Sequence, residues 1–183
     1  MRRYLAILTL GWMLPLAVFI GLNWIIDPYR VFHKPWVRDN YFTTDASMRE
    51  SAAGIINTEE FDSIILGSSM ARNFSGNEAS QIFGEHFINI SMDGSTIPER
   101  SLVLSYALAR KSLSKVIFSF DWGSLRRVLS QSPIAPYAYL YDDNSANDLL
   151  IYASNFKTLR YLFCGNIFIS INLPCQETYD DLD

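Results

Sequence analysis

A glycine and two serines, Gly67-Ser68-Ser69, close the apolar run Asp62-Ser63-Ile64-Ile65-Leu66. A serine hydroxyl is a weak nucleophile at neutral pH and needs an adjacent base. At the start of a helix, its backbone N–H can also face the oxyanion of a tetrahedral intermediate. A second small, polar turn, Met92-Asp93-Gly94-Ser95, follows the run Phe87-Ile88-Asn89-Ile90-Ser91. A third turn, Asp121-Trp122-Gly123, follows Lys115 to Phe120. Ser68, Asp93, Arg72 and Asp121 are the polar groups these turns offer a substrate, and Asp121 could also orient a base. Each has a plainer reading. Gly67-Ser68-Ser69 also suits a tight turn with a serine N-cap; Asp121 could cap the next helix, and Asp93 and Arg72 could be solvated. Tyr137, Tyr139 and Tyr141 alternate with smaller residues, as in a sugar-stacking surface or a packed edge strand.

The three turns gain meaning from the elements that carry them. Asp62 to Leu66 reads as a buried parallel strand entering a tight turn. Residues 77–84 suit a short helix ended by Gly84. Phe87 to Ser91 is a second strand. Ile97 to Ser112 is a helix with Thr96 as cap, Pro98 in its first turn and Glu99 favourable to its dipole. Lys115 to Asp121 is a third strand. Strand and helix alternate three times, which predicts an α/β fold with a parallel sheet covered by helices. Ligands of such sheets bind at the carboxyl ends of the strands, where all three turns should meet. Upstream, Ala46 to Thr58 is expected to be a helix with Asp45 as N-cap and Met48, Ile55 and Ile56 on its buried side. Downstream, residues 130–147 read as a Tyr- and Pro-rich loop, residues 148–163 as a helix, and residues 165–173 as a fourth strand.

Residues 4–26 carry no charge. At 1.5 Å per residue they span roughly 34 Å, enough to cross a bilayer core with some tilt. Trp24 sits where an interfacial aromatic is expected. The exit, Asn23-Trp24-Ile25-Ile26-Asp27-Pro28, is a poor cleavage site, so an uncleaved signal anchor is expected. Arginines and lysines on the two flanks nearly balance, and Arg2 and Arg3 favour an inside N-terminus. The chain thus divides into an anchor (1–26), a membrane-proximal segment with a helix (27–58) and an α/β domain (59–183). Its 183 residues, 14% of them aromatic, exclude a disordered chain. A net charge of −4 without a basic stripe argues against nucleic acid as a partner. Cys164 and Cys175 could form one disulfide outside the cytoplasm or be two unpaired thiols. With no C-x-x-C and no histidine nearby, no metal site is indicated.

The stretch from Asp62 to Phe74, DSIILGSSMARNF, resembles the first block of the SGNH (GDSL-like) hydrolases. Together with the anchor, it resembles the membrane-anchored envelope branch of that family, the DltD and alginate-acetylation type. The resemblance covers about residues 4–125. It implies a three-layer, flavodoxin-like parallel sheet, with Ser69 as nucleophile and Gly94 as a second oxyanion-hole donor. It also implies acyl transfer or ester hydrolysis on a surface polysaccharide or similar polymer, without a cofactor. The domain would then lie outside the cytoplasmic membrane on a single-pass anchor. Two departures stand against activity. The family's third block supplies an asparagine where this chain has Asp121-Trp122-Gly123, and the closing Asp-x-x-His block is absent. The two histidines, His33 and His86, do not complete a triad. A truncated relative, with the sheet incomplete, is the expectation. An anchored, non-catalytic binding module is the alternative. A flavodoxin-like nucleotide binder would need a glycine-dense phosphate cradle, which is missing.

Overall fold

The computed structural model describes residues 2–27, 30–33, 45–122 and 134–142. The expected helix at 148–163, the fourth strand at 165–173 and both cysteines lie outside the described residues. The elements are α1 (Arg2–Ile26), α2 (Asp45–Thr58), β1 (Ser63–Leu66), α3 (Ser69–Arg72), α4 (Gly76–Phe83), β2 (Phe87–Asn89), α5 (Ile97–Arg110) and β3 (Lys115–Phe118). A 3-10 helix follows at Ala135–Tyr141.

The three strands form one parallel sheet in the order β2-β1-β3. Ser63 pairs with Phe87 on one side of β1 and with Lys115 on the other. Successive side chains of a strand point to opposite faces, and the core divides accordingly. Ile64 and Leu66 join Ala52, Ile56, Val103 and Tyr106 in a large cluster under α2, α5 and the 3-10 helix. Ile65 joins Ala71, Ala79 and Phe87 under α3 and α4. Helices therefore cover both faces of the sheet, and every residue of β1 is buried. The expected α/β class holds, with a small three-stranded parallel sheet. The second and third strands are shorter than the sequence suggested, although the Ile90, Met92 and Ser119 amides just beyond them still bond to the end of β1.

Local chemistry explains the helix ends. Thr96 accepts from the amide of Glu99 while Glu99 Oε2 accepts the Thr96 amide at 2.7 Å, a complete capping box at α5. Ser75 caps α4, and Gly84 ends it in the left-handed region. Asp27 ends α1 at φ 36°, and its carboxylate accepts from the amides of Val31, Phe32 and His33 at 2.8–2.9 Å. That ties the first residues after α1 into a compact turn.

The tyrosine segment is a correction. It is a 3-10 helix, not an edge strand. Tyr141 is buried in the main cluster, with Tyr137 and Tyr139 packed against it. Its hydroxyl donates to the Arg49 carbonyl at 2.7 Å, and its ring meets Tyr106 edge-on at 5.3 Å. Burial, reinforced by Tyr106, pushes its phenol far above the ordinary tyrosine value. The folded state therefore holds this proton more tightly than the unfolded state. The stability it contributes is intact below about pH 10 and falls by roughly 1.4 kcal/mol per pH unit above it. Tyr141→Phe is expected to flatten that alkaline decline in pH-dependent denaturant melts, at a cost near 1 kcal/mol at neutral pH.

Among the described residues no helix is long and apolar enough to cross a membrane. The residues of the expected span, 4–26, lie within the 25-residue helix α1. The described part of α1 does expose Trp12, Met13, Leu14, Leu16 and Val18, each more than half accessible.

Candidate functional site

The carboxyl ends of the three strands converge on one rim. The Gly67 carbonyl, just past β1, accepts from the Met92 amide and from Ser95 Oγ, both at 2.9 Å. The Leu66 carbonyl accepts from the Ser119 amide at 2.8 Å. These bonds lock the β2–α5 turn and the end of β3 against the end of β1. The strand order 2-1-3 reverses direction at β1, the switch point at which open α/β sheets take ligands.

Gly67 is required by space. A Cβ there would lie 2.3 Å from the Ala71 Cβ and 2.5 Å from Ser119 Oγ. Ser68 follows in extended conformation, buried, at the N-cap position of α3, yet its side chain makes no capping hydrogen bond. The plain reading holds for the turn and for the position of the serine, but not for a capping bond from its hydroxyl. Ser69 is the first residue of α3 and is exposed on the rim. Gly94 is exposed at φ 58°, a left-handed turn conformation that favours glycine.

Asp93 and Asp121 are not free in solvent; each pairs with an arginine. Asp93 Oδ2 pairs with Arg72 Nη1 at 2.9 Å, which clips α3 to the β2–α5 turn. Its Oδ1 is buried without a hydrogen-bond partner. Asp121 Oδ2 accepts from Arg100 Nη2 at 2.9 Å and is about one-third exposed.

Arg100 is the residue that sequence reasoning missed. It is fully buried and bonds directly to the second and third turns. Nε donates to Ser95 Oγ at 2.8 Å, Nη2 to the Ser95 carbonyl at 2.7 Å, and Nη1 to the Ser119 carbonyl at 2.6 Å. Ser95 Oγ in turn donates to Gly67, so one guanidinium, with its fixed fork of donors, sets the spacing of the rim. Its single sequence signal was a cation in the first turn of a helix, where the dipole disfavours it unless a specific partner compensates. Asn89 was also missed. Its Nδ2 donates to the carbonyls of Ala71 and Phe74 at 2.8 and 2.7 Å, and its Oδ1 accepts from the Ser91 amide at 3.0 Å. It fixes the segment that carries Ser69. A lone amide inside the apolar run FINIS was the visible clue.

Behind the rim, Arg49 donates from Nε to Glu99 Oε1 at 3.2 Å and from Nη2 to the Asp93 carbonyl at 2.7 Å. Glu99 Oε1 also accepts the Ile134 amide at 3.0 Å. The loop with Asp93 and Gly94 is thereby bolted to α2.

Neither histidine reaches this rim. The His86 amide donates to Asp62 Oδ1 at 2.8 Å, and its carbonyl accepts from the amides of Asp62 and Ser63. It therefore sits where the strands begin, opposite Ser69. The His33 ring contacts the Trp24 carbonyl through Nε2 at 2.7 Å, beside the end of α1. Among the described residues no group of histidine, cysteine and acidic side chains could hold a metal ion. Comparison with protein-family models, with characterised proteins and with solved structures yields no match to this chain.

Proposed function

We propose that this chain is a membrane-anchored protein of the cell envelope. Residues 4–26 are its single lipid anchor, and its extracytoplasmic domain is an SGNH-like, flavodoxin-type unit. Its chemistry descends from serine esterases and O-acyltransferases acting on surface polysaccharide or a similar acyl-carrying polymer. The observation that carries this reading is the convergence of Ser69, Gly94 and Asp121 on one rim at the switch point of a parallel sheet. In the reaction, Ser69 Oγ attacks the acyl carbon as a base removes its proton, and the tetrahedral oxyanion forms beside the backbone N–H groups of Ser69 and Gly94. Ser68, Asp93 and Asp121 line the approach for substrate. The exposed apolar side chains of α1 support the anchor, since contiguous apolar surface of that kind marks a lipid or protein partner.

A second reading has its own observation. Both histidines stand away from the rim, so the described residues supply no imidazole base. This favours an anchored, non-catalytic module whose rim binds polymer without cleaving it. A fluorophosphonate probe with mass-spectrometric site mapping separates the two. The enzyme reading expects label on Ser69, lost in Ser69→Ala. No label under conditions that modify an intact SGNH enzyme would leave the binding module as the function.

A further inference from the structure

The residues that follow α1 tie it to one particular pole of the domain. Arg30 forms an ion pair with Glu59, and Val31 packs on the main core. Glu59 lies between the end of α2 and the start of β1, and its carbonyl accepts from Lys111 Nζ at 2.8 Å. Lys111 caps the end of α5, just before β3. This is the pole where all three strands begin, opposite the Ser69 rim. The exposure of Trp12 to Val18 means that this part of α1 does not lie along the domain.

Helices α4 and α5 also end at this pole, and their last turns expose apolar side chains. Ile82 is 75% accessible, Phe83 about half, and Leu108 slightly more than half. Exposed apolar side chains suit a lipid–water interface; the rim exposes Met70, Phe74, Phe120 and Trp122 as well, so the attachment through Arg30, Val31 and Glu59, not apolarity, singles out this pole. The charges there are mixed: Arg30 pairs with Glu59 and Lys115 with Glu85 at 2.7 Å. Contact would therefore rest on apolar insertion rather than on attraction to anionic lipid.

Resting on the anchor reading above, we propose that the strand-start pole, with Ile82, Phe83 and Leu108, lies against the headgroups of the bilayer that holds α1, so that the Ser69 rim faces away from the membrane. Four strand residues alone separate the poles by roughly 13 Å, and the turns add to this. The rim's substrate is then a water-exposed polymer arriving from outside, not a lipid embedded in the same leaflet.

The test uses the full chain with Cys164 and Cys175 replaced by serine. A single cysteine is introduced as Ser112→Cys, beside the strand starts, or as Trp122→Cys on the rim; both positions are exposed. Each variant carries a nitrobenzoxadiazole label and is reconstituted into phosphatidylcholine vesicles containing headgroup spin-labelled lipid. The label from Ser112→Cys should be quenched several-fold more than the label from Trp122→Cys. Ile82→Ser should weaken that quenching while the protein still floats with the vesicles. Equal quenching, stronger quenching on the rim, or none at either position in a floating protein would overturn the proposal and leave the anchor standing. Failure to float would overturn the anchor reading and the proposal together.

Discussion

Replacing Arg100 with methionine is expected to destabilise the domain by about 3–5 kcal/mol, the range for removing one member of a buried charged network. The ion pair itself is a small part of this. Asp121 is about one-third exposed, so solvent screens that partner. The larger part comes from the carbonyls of Ser95 and Ser119, which lose their guanidinium donors inside the protein. A buried polar group left without a partner costs about 1–3 kcal/mol. Arg100→Lys should recover only a fraction, because an ammonium cannot reproduce the guanidinium fork that joins Ser95, Ser119 and Asp121. Thermal and denaturant melts measure both variants; for a domain of this size the methionine variant should lose more than about 10 °C in Tm. A loss near zero would mean that the rim is held by something other than Arg100.

Glu99→Ala is expected to cost a comparable amount, about 3–5 kcal/mol, by a different route. The Glu99 carboxylate is fully buried. It closes the α5 capping box, accepts from Arg49 and receives the Ile134 amide. Its removal leaves the Thr96 and Ile134 amides without this acceptor and takes a carboxylate from beside the buried Arg49. The damage should appear first in the 3-10 helix, which depends on Ile134 and on the Tyr141–Arg49 bond. Glu99→Gln keeps the shape but only one of the two acceptor oxygens, and its NH2 would face either the Thr96 amide or the Arg49 and Ile134 donors, so it should recover only part of the loss. A glutamine variant as stable as the unaltered protein would show that Glu99 does not hold these donors. Arg100 and Glu99 are adjacent in one network, so their combined variant should lose less than the sum of the two.

The parts of this fold visible in the sequence are those dictated by local rules. Ile64-Ile65-Leu66 reads as a buried strand because an unbroken apolar run suits a strand covered on both faces. Thr96, Pro98 and Glu99 announce the start of α5 because capping is local chemistry. The common rim also follows locally, since each strand ends in small or polar residues and parallel strands end on the same side. The unseen parts depend on distant partners. Helix α3 has four residues, too few to show a helical period. The 3-10 helix is set by Arg49 and Tyr106, far away in sequence. Asp121 was legible as a polar group at the rim, but its partner, Arg100, lies 21 residues earlier. The Asp93–Arg72 pair has the same separation of 21 residues. Spacing of that kind carries no periodic signal.

Amide hydrogen exchange on the full chain tests the shared rim most directly. The amides of Met92 and Ser119, which donate to the carbonyls of Gly67 and Leu66, should exchange as slowly as those inside β1. They should lose that protection together in Arg100→Met, while Ile65 stays protected. Fast exchange at Met92 and Ser119 in the unaltered protein, beside a protected β1, would contradict the account, because the three turns would then not be held along one edge of the sheet.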